Sequence, residues 1–172
     1  DGTTDCHALF SEGSNRLAEA LAPLERRLRR EARFRESRND DIAAVQNRLR
    51  DLWVADQSGR YAYLALNTDD RTGAAWWAYR LATANAITTD GRSTEAMRDI
   101  LDRYDWVDGE QFGRRTATQA WLLVQHSDHD PAFQSLALER MEPYLESGSV
   151  RRQDYAYLWD RVAVNTGQLQ RY

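Results

Sequence analysis

Apolar residues recur along this chain at steps of three and four, and no stretch keeps the strict alternation that a half-buried strand requires. Only three prolines and nine glycines interrupt 172 residues, so long helices are permitted almost everywhere. The chain reads as all-α: a single-domain bundle of about six or seven helices with an antiparallel helical hairpin in its last third.

Residues 1–13 read as irregular, and residues 14–38 as an arginine-rich helix with Pro23 a break or kink near its start. Its second half, Glu25 to Arg38, holds seven arginines and three glutamates. Glu25/Arg29, Arg27/Glu31 and Glu31/Arg35 are i,i+4 pairs that suit a solvated face. Asn39, Asp40 and Asp41 supply a cap for a second helix, whose stripe is Ile42, Val45, Leu49, Leu52 and Trp53. That helix is followed to about Gly59, and Tyr61 to Leu66 is left between helix and strand. Ala74–Ala86 and Thr94–Tyr104 read as separate helices divided by an Asp90-Gly91 turn. A further helix is expected from about Phe112 to Gln125, then a tight turn, then a helix from Pro131 toward Ser147 with Pro143 as a kink. Gly148 ends that helix, and Arg151 to Asn165 forms the last one before Gly167.

Composition removes whole reaction classes. All 23 basic residues are arginine, which excludes lysine Schiff-base chemistry and a Walker-type phosphate loop. Cys6 is the only cysteine, so one chain holds no internal disulfide, no Cys-x-x-Cys pair and no multi-cysteine zinc site. A net charge of −4 argues against general nucleic-acid binding, which needs a basic face. No apolar run approaches the roughly 18 residues of a membrane span. The chain starts without a methionine or a signal-type apolar region, and the expected compartment is left between cytoplasm and periplasm.

The informative positions are polar residues that continue apolar stripes. Leu49, Leu52 and Trp53 lead at helical steps to Asp56 and Arg60, so a carboxylate is expected on the buried face, where it needs a partner. Gln119, Leu122 and His126 share a face in the same way, and Trp121 leads to Gln125. Asp160 lies with Ala156, Ala163 and Val164, and Arg161 follows Tyr157 and Leu158. Three helices are thus expected to deliver ionisable groups to a common interior, the way bundles build sites. The bland alternative is an ion-pair network joining Asp56 or Asp160 to Arg60 or Arg161. The six tryptophans sit mostly at core spacing, with Trp76-Trp77 able to turn one ring outward. The run His126-Ser127-Asp128-His129-Asp130 offers ligand types for a divalent metal, although its spacing fits no zinc helix motif and Asp130 before Pro131 is a natural cap. No cofactor is otherwise indicated. No Gly-x-Ser-x-Gly elbow supports a serine triad.

From Trp121 through Gln125, His126, Asp128, Asp130-Pro131 and Phe133-Gln134, the chain resembles a widespread bacterial family of domains of unknown function. The resemblance continues through Asp154, Tyr157, Asp160-Arg161 and Gln170-Arg171-Tyr172, and more loosely covers Asp56-Gln57, Arg60 and Asp105-Trp106. It implies no established activity. It does imply a Gly-Thr-Gln element beyond Tyr172, and its motif positions coincide with those singled out by periodicity.

The resulting expectation is a small helical enzyme, hydrolase-like, in which His126 and a carboxylate, Asp56 or Asp160, act as acid and base. Arg60, Arg161, Gln57, Gln125, Gln134 and Tyr172 would bind the substrate, an anionic small molecule or peptide. The rival expectation is a partner-binding or immunity-type module whose polar cluster only fixes the fold. A metal-dependent hydrolase would need three of His126, Asp128, His129, Asp130, Asp56 and Asp160 to converge.

Overall fold

The first helix starts well before Ser14. In the computed structural model, which describes residues 5–34 and 36–171, the Asp5 carboxylate accepts hydrogen bonds from the backbone N–H groups of His7 (3.0 Å) and Ala8 (3.1 Å). That N-cap satisfies donors which the helix itself cannot, and α1 accordingly spans Cys6–Glu31. The expectation of an irregular segment is corrected for residues 6–13, which the Asp5 cap starts as helix, while residues 1–4 lie outside the described residues. Pro23 lies inside α1, which ends at Ala32 rather than near Arg38.

Asn39 caps α2, Asp40–Ala65, by accepting from Asp41 N (3.0 Å) and Ile42 N (3.2 Å). Tyr61 to Ala65 continues this helix, which settles the stretch left between helix and strand. Helix α3 runs unbroken over Gly73–Tyr104, so the expected division at Asp90-Gly91 is corrected. Ser93, Thr94, Ala96 and Met97 just beyond it are buried, and this packing overrides a turn propensity worth about 1 kcal/mol at the glycine. Helix α4 is Arg114–Gln125, two residues shorter at its start than expected, with Gly113 at φ 85° as its N-cap. Helix α5 is Pro131–Met141, followed by a single 3-10 turn at Glu142–Tyr144 that contains Pro143. Helix α6 is Arg152–Asn165. The fold is all-α, with no strand among the described residues.

The helices group into two compact units, one of Asp1–Arg33 and Val54–Thr89, the other of Phe34–Trp53 and Asp90–Tyr172. The first unit packs through small residues. Ala74, Ala78 and Ala82, at four-residue steps on α3, are buried together with Ala62 and Ser58 of α2. This small-residue face lets α1 approach so closely that a Cβ on Gly13 would lie 2.6 Å from the Trp77 Cβ and 2.9 Å from the Ala78 backbone nitrogen. Phe10 meets Trp77 edge-on at 5.6 Å, so the outward ring of the Trp76-Trp77 pair is covered in part. The arginine-rich end of α1 is a solvated face: Arg27 lies 3.5 Å from Glu31 with both side chains about half exposed, and stacks over Tyr61. The expected Glu31/Arg35 pair involves Arg35, which lies outside the described residues.

The second unit has a larger apolar core, in which Leu49, Met97, Leu101, Phe112, Phe133 and Leu158 are almost fully buried. Each such side chain contributes roughly 2 kcal/mol of burial. Phe112 is held in that core by the loop before α4. Asp108 accepts from the N–H groups of Glu110 (2.7 Å) and Gln111 (2.9 Å), and buried Gln46 donates to the Phe112 carbonyl at 2.8 Å. This is why Phe112 ends a turn instead of starting α4.

Candidate functional site

In the first unit Asp56 is 2% exposed, as its place on the α2 stripe requires. Arg60, one turn on, donates to it from Nε at 3.0 Å, and Gln57 donates at 2.7 Å. The carboxylate therefore has the partner that burial demands, and this part of the expected ion-pair network is present.

In the second unit the expected groups divide between two places. The first lies where the α4–α5 turn meets α6. Arg161 donates to Asp128 from Nε at 2.7 Å and again from its terminal nitrogen, giving a two-pronged contact. Asn165 donates to the same carboxylate at 3.0 Å and to the Gln134 side-chain Oε1 at 2.9 Å. Gln134, fully buried, donates to the carbonyls of Val124 (3.1 Å) and Gln125 (3.2 Å), which are among the last carbonyls of α4. Arg161 is thus paired with Asp128, not with neighbouring Asp160. Asp160, itself buried, accepts from the backbone N–H of exposed Arg171 at 2.8 Å. Tyr172 lies outside the described residues.

Electrostatics agree with a structural network here. Burial works against the Asp128 charge, but hydrogen bonds from Arg161, Asn165 and Gln134 outweigh it and hold the carboxyl below its ordinary value. The hydrogen bond to Asp128 holds the Arg161 guanidinium above its own, against the opposing effect of burial. Asp130 behaves likewise: burial opposes its charge, while the Phe133 N–H it caps and the Arg98 guanidinium lower it. A carboxyl whose folded value is depressed contributes stability that is complete above the unfolded value of about 3.9 and is lost as pH falls through the folded value. The melting temperature is therefore expected to fall on acidification below about pH 4. Asp128→Asn should show a smaller fall over that range, as calorimetry between neutral and acid pH would show.

The second place lies where the middle of α3 meets the end of α4. His126 is the C-cap of α4. Its imidazole and the Asp90 carboxylate present ligand atoms within 4.8 Å of one another, and both residues are half-buried. One turn beyond Asp90 and one residue beyond His126, the hydroxyls of Thr94 and Ser127 meet at 2.8 Å. Thr94 also bonds back to the Asp90 carbonyl at 2.9 Å. On the same two helices buried hydrogen-bonding capacity is left unused: the Ser93 hydroxyl, Gln119 Oε1 and Gln125 Nε2 have no partner among the described residues. Ser93 follows Asp90 by three residues and Gln119 precedes His126 by seven, so each shares a helix face with one member of the pair. Buried polar atoms without partners are uncommon in native structures and ask for an explanation such as a ligand or water.

Asp90 was missed in sequence because Asp-Gly reads as a turn. The signal that finds it is the spacing Asp90, Ser93, Thr94, Met97 and Leu101, a helical stripe continuing into the core. Asp128 and Asp130, expected as metal ligands, are already engaged by arginines.

A family model described as a family of unknown function (DUF6624) matches residues 46–172. The chain belongs to this family. No curated protein and no solved structure is similar to the chain. The match takes in Asp56, Asp90, His126, Gln134 and Asp160, and it begins within α2.

Proposed function

We propose that this chain is an acid–base enzyme, hydrolytic or proton-transferring, whose working pair in the second unit is His126 and Asp90. The observation that carries the reading is the half-buried imidazole beside a carboxylate, with unsatisfied polar atoms of Ser93, Gln119 and Gln125 on the same helices. Histidine is the side chain whose ordinary titration lies nearest neutral pH, so it can accept a proton and return it within one cycle. Asp90 would orient the ring and stabilise its charged form. The free amide of Gln125 and the hydroxyl of Ser93 would hold polar atoms of an anionic small molecule or peptide. Asp128, Gln134 and Arg161 are assigned to the structure, since their hydrogen-bonding capacity is spent on one another and on helix ends.

The test is turnover of a panel of phosphate monoesters, carboxylate-bearing esters and short acidic peptides by wild type, His126→Ala and Asp90→Asn. Loss of a general acid–base should lower the rate by roughly 10²- to 10⁴-fold in His126→Ala. Equal rates in wild type and His126→Ala would overturn the reading. Loss of wild-type turnover on dialysis against a chelator would add a divalent metal to the pair.

A partner-binding role is the second reading. It rests on Tyr157 and Val164, seven residues apart on one face of α6 and each 55% exposed.

A further inference from the structure

A cleft of about 610 Å³ lies within the second unit, along the first half of α4 and away from the helix end that carries His126. This volume is in the range of small-molecule sites. One part of its wall is apolar and rigid: Trp121 is fixed by its indole N–H, which donates to the Asp154 carbonyl at 2.8 Å, and Trp106, Met141 and Val150 are buried beside it. The rest is polar, and its charges are not all neutralised. Arg151 is paired with Asp154 at 2.8 Å. Arg114 and Glu110, by contrast, line the same cleft and pair neither with each other nor with any other described residue.

A cleft with one unpaired cation, one unpaired anion and an aromatic wall matches a ligand that carries both charges and an aromatic group. A purely anionic ligand would face the Glu110 carboxylate, and a purely cationic one the Arg114 guanidinium. We propose that this cleft binds the zwitterion of an aromatic α-amino acid, with its carboxylate on Arg114, its ammonium group toward Glu110 and its ring against Trp121. Arginine suits the carboxylate because its planar fork makes two parallel hydrogen bonds. The ammonium group of the same ligand would face Glu110, which lines the same cleft. This site does not depend on the Asp90–His126 reading.

The experiment is titration of the intact chain with L-phenylalanine, followed by backbone amide shifts in NMR. In parallel, 3-phenylpropanoate, which lacks the ammonium group, and phenethylamine, which lacks the carboxylate, are titrated under the same conditions. Saturable shifts confined to residues 109–118 and 147–154 are expected, with at least about tenfold weaker binding in Arg114→Gln and in Glu110→Gln. Both residues are exposed, so the variants keep the fold. No saturable binding of L-phenylalanine overturns the proposal. Binding undiminished in both variants overturns it too, as does 3-phenylpropanoate binding as tightly as L-phenylalanine.

Discussion

Replacing Gln134 with alanine is expected to destabilise the protein by about 3 kcal/mol or more. The side chain is fully buried and bonds Val124 and Gln125 carbonyls, the Asp128 carboxylate and the Asn165 amide. Truncation takes its side-chain donor from the Gln125 carbonyl, at about 1–3 kcal/mol, and opens a cavity, while the Val124 carbonyl keeps the Ser127 N–H at 3.1 Å. Gln134→Glu makes a sharper test, since it keeps shape and volume. It turns the donor toward three acceptors into an oxygen, so it too should fall well below wild type. Urea denaturation midpoints measure both. A glutamine kept for substrate would tolerate the glutamate with little loss of stability.

In the first unit, Gly13→Val is expected to cost about 3 kcal/mol. Two effects oppose each other at this position. Glycine inside a helix is worth about 1 kcal/mol less than alanine, so any side chain gains there. Against that, a Cβ would stand 2.9 Å from the Ala78 nitrogen and 3.1 Å from the Ala74 carbonyl oxygen, and backbone atoms in mid-helix cannot step aside. Overpacking of this kind costs about 1–3 kcal/mol, so Gly13→Ala should already be a net loss and valine a larger one. Gly91→Ala supplies the control, because nothing lies within 4 Å of where its Cβ would stand. There the propensity gain should emerge alone, as a midpoint shifted upward.

Much of this architecture follows from local rules that tertiary packing leaves intact. Pro131 behind the Asp130 cap starts α5, and Gly167 adopts positive φ where α6 ends; the helix expected to run to Gly148 stops instead at Met141. The burial of Asp56 follows from a stripe that simply runs on. What local rules miss are the positions where two of them compete. Asp90-Gly91 is a strong turn signal, yet it sits inside α3 because the residues on either side of it pack. Partner choice is the least legible, since Arg161 shares α6 with Asp160 but reaches across to Asp128, a residue distant in sequence. Periodicity brings His126 to the right end of α4; only the fold brings Asp90 to it.

The central claim is that Asp128, Gln134 and Arg161 hold the second unit together while His126 and Asp90 are kept for chemistry. Functional groups are commonly retained at a cost in stability, whereas structural ones are not. The most direct measurement is the melting temperature of His126→Ala beside those of wild type and Gln134→Ala. His126→Ala is expected to melt at or above wild type, while Gln134→Ala melts roughly 6–12 °C below it, the shift that about 3 kcal/mol produces in a chain of this size. A His126→Ala melt lowered as far as that of Gln134→Ala would contradict the claim and make the imidazole one more part of the scaffold.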